Sequence, residues 1–376
     1  MIRSGATGPA YSEEGEEPEI DCSVLTPVLN EERYIEETIA AMQRQRFSGR
    51  LEFLFADGGS EDRTREILER RAREDPRIRI FDNPGRSVSS GLNVALKHAR
   101  GRWVARMDAH TVYPPDYVEL GVTRLQQGGT RWVSGPQVPA GHNPVSRAVA
   151  LALGSPLGRG GSRKWGTDGP RERAEYELDA GVFCGVFERA AVLAYGGWDE
   201  RWPRNSDSEM AGRFLARGER LVCVPAMAAQ YAPRDSLSGL WRQYRDYGRY
   251  RVKTARAHPH TLRRSHLLAP ALVLEALAAL ALPGAAGRLA RTGLCAYAGV
   301  TVLAGVRAWP RADRAGDALL VPVALAVMHF AFGVGALLGA AEHGIPVEAL
   351  LSAIGVDALG RAAEGAADPV FAPSLR

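Results

Sequence analysis

Cysteine is scarce in this chain. Four thiols in 376 residues exclude a disulfide scaffold, and their positions, 22, 184, 223 and 295, form no CxxC pair that would signal a zinc site or a redox dithiol. Free thiols packed as small hydrophobes remain, as suits a cytosolic body. A collagen-like period is missing despite 41 Gly and 23 Pro, and a net charge of +4 is too small to argue for a nucleic-acid partner. The first twenty residues lack the apolar core of a secretory signal. With Glu13, Glu14, Glu16, Glu17 and Glu19 among Gly, Ser and Pro, residues 1–20 read as a disordered acidic tail. Lysine is nearly missing too: of 47 basic residues, only Lys97, Lys164 and Lys253 are lysines.

What is present is ordinary in bulk and uneven along the chain. A composition 45% hydrophobic and 24% charged is enough to fold, and the length suffices for one large domain or two. From Cys22 to about Tyr231 short apolar runs alternate with helix-like stretches, the βαβ pattern of a mostly parallel sheet. Ser23 to Val28, Leu51 to Ala56, Ile78 to Phe81 and Trp103 to Met107 read as its first four strands. Between them, Thr64 to Ala72 and Ser87 to Ala99 read as helices. An earlier helix carries Tyr34, Ile35, Thr38, Ile39 and Met42 at helical spacing, with Asn30 as its cap.

In open sheets of this kind ligands bind beyond the carboxyl ends of the strands, so the residues after each strand are the chemical candidates. Strand one runs into Pro27, Asn30 and Glu31, strand two into Asp57, Gly58, Gly59 and Ser60, and strand four into Asp108, Ala109 and His110. Asp57 and its glycines could form a plain turn, or a place where a ligand approaches the backbone closely. On an extended segment Asp108 and His110, two apart, would project to one side and could share a divalent ion. Further on, Gly196-Gly197-Trp198-Asp199-Glu200 precedes Asn205, Asp207 and Glu209 at the start of a helix. Carboxylates there serve as helix caps or, beside a metal-bound phosphate donor, as the general base for an incoming hydroxyl.

Taken in order, these motifs resemble those of the family 2 inverting glycosyltransferases with the GT-A fold, over about residues 22–260. More narrowly, Asn83-Pro84, Ser90-Gly91-Leu92-Asn93, Arg106-Met107-Asp108-Ala109-His110 with Tyr113-Pro114, and Gln243-Tyr244 with Tyr247-Gly248 resemble the succinoglycan glucosyltransferase branch. The resemblance implies an α/β GT-A nucleotide-diphospho-sugar transferase fold with a mostly parallel central sheet. It implies that Asp57 binds the nucleotide base, with Pro27, Asn30, Glu31 and Asn93 in the same donor pocket. Asp108 would contact the ribose or a divalent metal, Mn2+ or Mg2+, with His110 completing the metal site. Asp207 matches the catalytic base, and Trp241 and Gln243 match the acceptor side. A uridine diphosphate sugar as donor follows from the family, and glucose from the branch. The chain departs from the usual pattern twice: His110 replaces a second Asp, which favours manganese over magnesium, and Ser206 replaces a Glu, which leaves Glu209 to share the acceptor-side role.

The C-terminal part changes character. From Trp241 to Arg264 eight residues are basic and only Asp246 is acidic. Interleaved with aromatics, this reads as a membrane-surface segment on the acceptor side (236–265), in preference to a solvated helix face or an RNA-binding surface. Three apolar runs follow, Leu267 to Leu282, Thr292 to Ala308 and Ala318 to Ala341, and about three membrane helices are expected over 266–342. The first two runs also fit core helices. With three spans, the basic block and Arg307, Arg311 and Arg314 fall on the cytoplasmic side. The expectation is a multi-pass cell-membrane protein with a cytoplasmic catalytic domain (21–235) and a C-terminal tail (343–376). Two functions of different class compete. One is a membrane-anchored, metal-dependent inverting transferase building an exopolysaccharide or envelope glycan on a lipid-linked acceptor. The other is the nucleotide-sensing cytosolic domain of a small transporter or channel. Asp207 beside Asp108 and His110 discriminates, since a sensor needs a pocket but no base.

Overall fold

The computed structural model describes residues 19–166 and 174–355. All but the last two residues of the acidic tail expected over 1–20, and the C-terminal tail beyond 355, lie outside the described residues. The strands are β1 (Cys22–Val28), β2 (Leu51–Asp57), β3 (Ile78–Asp82), β4 (Trp103–Arg106), β5 (Thr111–Val112), β6 (Trp132–Ser134), β7 (Gln137–Pro139), β8 (Tyr176–Leu178), β9 (Gly185–Glu188), β10 (Leu221–Cys223) and β11 (Ala229–Tyr231). The helices are α1 (Ile35–Gln43), α2 (Thr64–Glu74), α3 (Val88–His98), α4 (Tyr117–Gln126), α5 (Pro144–Leu153), α6 (Pro156–Arg159), α7 (Arg189–Ala194), α8 (Ser206–Leu215), α9 (Leu237–Ala257), α10 (Ser265–Ala281), α11 (Gly284–Ala308), α12 (Ala315–His343) and α13 (Val347–Ile354).

Eight strands form one sheet in the order β3-β2-β1-β4-β9-β6-β10-β8. The first four are parallel, with Cys22 opposite both Leu51 and Trp103, while β9 runs antiparallel to β4 and β6. Both faces are covered, so every residue of β2 is buried. Alternation splits each strand between two half-cores. Cys22, Val24, Phe53 and Phe55 meet α1, α2 and α4, whereas Leu25, Leu54 and Ala56 meet α3 and α8. The chain winds from β1 outward to β3 and then returns to β4 on the other side of β1. This reversal opens a crevice at the carboxyl ends of β1 and β4. A small sheet, β5-β11-β7, flanks that end.

The parallel strands match their expected positions closely, with two differences that bear on the site. α1 begins at Ile35 after Tyr34, and Asn30 does not cap it. Asn30 is left-handed, with φ 56, and its Oδ1 accepts from the Glu61 amide at 2.8 Å, joining the β1 and β2 loops. β4 stops at Arg106, and the chain turns at Ala109–His110, closed by a bond from the Thr111 amide to the Asp108 carbonyl at 3.3 Å. The same-side projection expected of an extended Asp108–His110 segment therefore does not arise.

The basic aromatic stretch forms the 21-residue helix α9, and α12 lies along it backbone to backbone. A methyl group added at Gly248 of α9 would overlap the Phe332 carbonyl, and methyls at Gly335 and Gly339 of α12 would overlap the carbonyls of Arg245 and Arg249. Small residues spaced by four along a helix permit this approach. At its other end α12 packs on α5, where Arg147 forks onto the buried Asp317 at 2.7 and 3.1 Å. Segments Gly284–Arg311 and Ala315–His343 are long and apolar enough to cross a membrane. The first expected span becomes α10, whose 17 residues fall short of the roughly 20 needed to span hydrocarbon. Its Leu268, Leu274, Leu277 and Leu280 are exposed, as are Leu289, Val300, Leu303 and Val306 of α11.

Overpacking of about 1–3 kcal/mol is expected for Gly248→Ala, because two helix backbones must move apart. Thermal unfolding of the detergent-solubilised chain should show a lower midpoint for this variant. Gly299→Ala on α11, where an added methyl meets nothing within 4 Å, should leave the midpoint unchanged or raise it slightly. Equal behaviour of the two variants would refute the close seam.

Candidate active site

The crevice has two parts. In the first, the loops after β1 and β2 interlock: the Asn30 amide donates to Ser60 Oγ at 3.0 Å and the Glu31 amide to Thr64 Oγ1 at 2.7 Å. Asp57, at the end of β2 and 3% exposed, accepts from the Ser60 amide at 3.0 Å and from Ser60 Oγ at 2.6 Å through one carboxylate oxygen. This is the turn anticipated for Asp57-Gly58-Gly59-Ser60. Among the described residues the second oxygen meets only Arg65, at 3.7 Å, and so keeps capacity for a ligand donor. Pro27 lies within β1, where its ring packs beside Gly91 of α3.

In the second part a single arginine ties two carboxylates together. Arg106, the last residue of β4, has only 7% of its side chain exposed. Its Nε and Nη2 fork onto Asp108 at 2.8 and 3.1 Å, and its Nη1 donates to Asp207. Asp207 stands in the first turn of α8, after a left-handed Asn205 with φ 63. Burial would push the Asp108 carboxyl up, but the Arg106 guanidinium outweighs it and holds the group below the usual carboxylate range. At Asp207 burial wins: desolvation and the nearby Asp108 charge raise the carboxyl although Arg106 and Lys164 oppose them. His110 links the two parts, its Nδ1 lying 3.2 Å from Glu31 Oε1. Burial works against its imidazolium, but the bond to Glu31 and the Asp108 charge prevail and raise its pKa.

A cavity of about 1290 Å³ opens over Asp108, His110 and Asp207 and also reaches Gln243. Gln243 Nε2 donates to the hydroxyls of Tyr231 and Tyr247, at 3.1 Å each. Three other candidates stand elsewhere. Glu209 is 3% exposed, forked by Arg213 at 2.8 Å twice and 3.3 Å from His258, so it anchors α8 and does not line the cavity. Asn93 is consumed in holding the loop after α7: its Nδ2 donates to the Trp198 carbonyl at 2.8 Å and its Oδ1 accepts from the Trp198 amide at 2.9 Å. Trp241 is partly exposed on α9 and lies outside the cavity lining. Glu209 and Asn93 hold motif positions yet close bonds within the fold.

Among the cavity-wall residues that carry no role in the sequence reading are two cations that face Asp207, Arg106 and Lys164. A signal for Arg106 existed: an arginine closing a central, otherwise apolar strand must be paired to be buried at all. Lys164 follows a loop of glycines and offers no periodicity to read.

Removing the guanidinium should leave Asp108 and Asp207 facing each other uncompensated. Arg106→Met is expected to cost roughly 3–5 kcal/mol in denaturant unfolding. Adding Asp207→Asn should recover part of that loss, since one charge is then gone, and strictly additive effects would show that the three groups are not coupled.

The family model for glycosyl transferase family 2 matches residues 23–195. The succinoglycan biosynthesis protein ExoA of Rhizobium meliloti (strain 1021) is 35% identical over 237 residues, 62% of this chain and 70% of that protein. An uncharacterized glycosyltransferase, EpsJ of Bacillus subtilis (strain 168), is 36% identical over 86 residues, 23% of this chain and 25% of its own. Among solved structures, the mannosyltransferase PcManGT from Pyrobaculum calidifontis, in complex with GDP-Man and Mn2+, has a TM-score of 0.54 over 83% of this chain and 89% of that one, at 22% identity. That likeness is one of fold, and it extends the GT-A architecture across the described sheet. With a relative matched over most of its length and the family model on the sheet that carries Asp57, Asp108 and His110, the chain belongs to glycosyl transferase family 2.

Proposed function

We propose that the protein is a membrane-associated inverting transferase that moves a hexose, glucose by its branch, from a uridine diphosphate sugar to a lipid-linked acceptor in polysaccharide synthesis. One observation supports this most. Asp207 is joined through Arg106 to Asp108 on the donor side, and the cavity they share continues between the apolar helices to Leu272, Met328 and Phe332. The polysaccharide assignment is supported by the succinoglycan biosynthesis protein among the relatives. The nucleotide-sensor alternative loses its ground with membership of a transferase family.

Among the described residues no three His, Cys, Asp or Glu side chains gather as a metal cage. A manganese or magnesium ion held between protein and substrate phosphates needs only one or two protein donors, and Asp108 with His110 supplies a carboxylate and an imidazole on the cavity wall. The imidazole favours manganese. Bound there, the ion would neutralise charge on the leaving diphosphate.

The remaining steps rest on side chains. Asp57 and Glu31 offer acceptors to the nucleoside, and Asp108 holds the donor from the other side of His110. Asp207 takes the proton of the acceptor hydroxyl as its oxygen attacks the anomeric carbon from the face opposite the diphosphate. An α-linked donor therefore yields a β-linked product. Desolvation makes Asp207 a stronger base than an exposed aspartate, and Arg106 keeps it ionised and aimed.

Membranes incubated with a panel of nucleotide sugars and Mn2+ should release nucleotide with the wild type, whereas Asp207→Asn binds donor and turns over at least a hundredfold more slowly. An active Asp207→Asn variant would sink the assignment. Because protonation removes the base, kcat/KM should rise with pH through a group titrating above 3.8, the ordinary aspartate value. A limb at or below that value contradicts a desolvated base. His110→Ala should raise the Mn2+ concentration needed for half-maximal activity, and unchanged metal dependence would refute its role as ligand.

A further inference from the structure

The cavity that holds Asp207 carries positive charge that the proposed transfer step does not use. Loop 158–164 passes along its wall, where left-handed Gly160 and Gly161 let the chain turn Ser162 and Lys164 toward the space. Lys164 and, from α9, Arg251 both line it, and among the described residues neither has a carboxylate within ion-pair distance. Arg251 spends one nitrogen on Ser208 Oγ at 3.2 Å, and among the described residues neither its buried Nε nor the buried hydroxyl of Ser162 has a partner. Arg263, whose charge is met by Asp179, crowds the same spot as Ser162 over Gly181. Buried donors normally find acceptors, so two orphans on one cavity wall point to a missing anion. Burial lowers the Lys164 ammonium to about 8 and, with Arg263 nearby, the Arg251 guanidinium to about 10, penalties that an arriving anion would relieve.

The surroundings narrow the ligand. His266, at the start of α10, stacks on Phe332 of α12 with ring centroids 5.9 Å apart, and from there the lining is mostly apolar, Leu268, Ala269, Leu272 and Met328, with Glu275 and the hydrogen-bonded Tyr297–His329 pair as its polar members. A cationic mouth thus leads into a largely apolar cleft between α10 and α12. Asn30, Glu31 and Asp57, the proposed nucleoside contacts, line none of it.

We propose that Lys164, Arg251 and Ser162 form a site for the phosphate or diphosphate head of a lipid-linked acceptor, whose chain runs along the α10–α12 cleft and whose sugar hydroxyl reaches Asp207. This rests on the transferase reading above and assigns the acceptor side of the same cavity. The donor's diphosphate shares the chemistry, so the test separates the two sources. Full-length protein in detergent is titrated with farnesyl diphosphate, with farnesol as the phosphate-free control, and separately with UDP and Mn2+. Wild type should bind farnesyl diphosphate at least tenfold tighter than farnesol. Lys164→Gln and Arg251→Gln should each lose at least tenfold of that affinity and keep UDP affinity within twofold, which also reports that they are folded. Arg251→Lys should retain most of the affinity. Unchanged farnesyl diphosphate binding in both Gln variants overturns the site, as does a parallel loss of UDP affinity, which would assign these cations to the donor. No turnover enters the measurement. A failed search for a sugar donor would count against the transfer reaction alone, and a failed binding difference against this site alone.

Discussion

The site depends on one buried cation. Arg106 ends a central strand and meets Asp108 on its own loop and Asp207 on α8, so a guanidinium joins the parallel half of the sheet to the helix that follows its antiparallel half. Two carboxylates in a partly desolvated cleft would repel each other and take up a proton. With Arg106 between them one stays ionised while the other is tuned upward, which is the division of labour expected of a charge-bearing donor contact and a base. The clamp also brings Asp207, from a helix a hundred residues further along the chain, onto the cavity wall beside Asp108.

Much of the sheet is legible in the sequence, and for a physical reason. β1 to β4 are covered on both faces, so each appears as an apolar run long enough to stand out, and α1 shows its buried Ile35, Thr38, Ile39 and Met42 at helical spacing. The antiparallel strand β9 and the small sheet have two to four residues per strand, too few for any period. Asp108, His110 and Asp207, singled out at a strand end and a helix start, do come together on one cavity. Asn93 and Glu209 share those positions yet close hydrogen bonds within the fold, a distinction that only the partners reveal. Two cations facing Asp207 are not legible: Arg106 hides within an apolar strand, and Lys164 follows a run of glycines.

The apolar helices are part of the candidate site. α10 and α11 present exposed leucines and valines outward, while the inner surfaces of α10 and α12 complete the cavity wall. α9, read from sequence as a basic surface segment, is the piece that joins them, with its Gln243 and Arg251 in the cavity and its Gly248 against α12.

The glycine seam between α9 and α12 acts as a waterline. α9 carries arginines along much of its length and cannot sink into hydrocarbon, and α12 has no freedom to slide past it while backbone touches backbone at Gly248, Gly335 and Gly339. With the apolar helices seated in a bilayer, the depth of the sheet would then be set by this backbone contact. Under the proposed function, the cavity would then keep one height above the bilayer, and an acceptor carried by the membrane would enter it from the side, between α10 and α12.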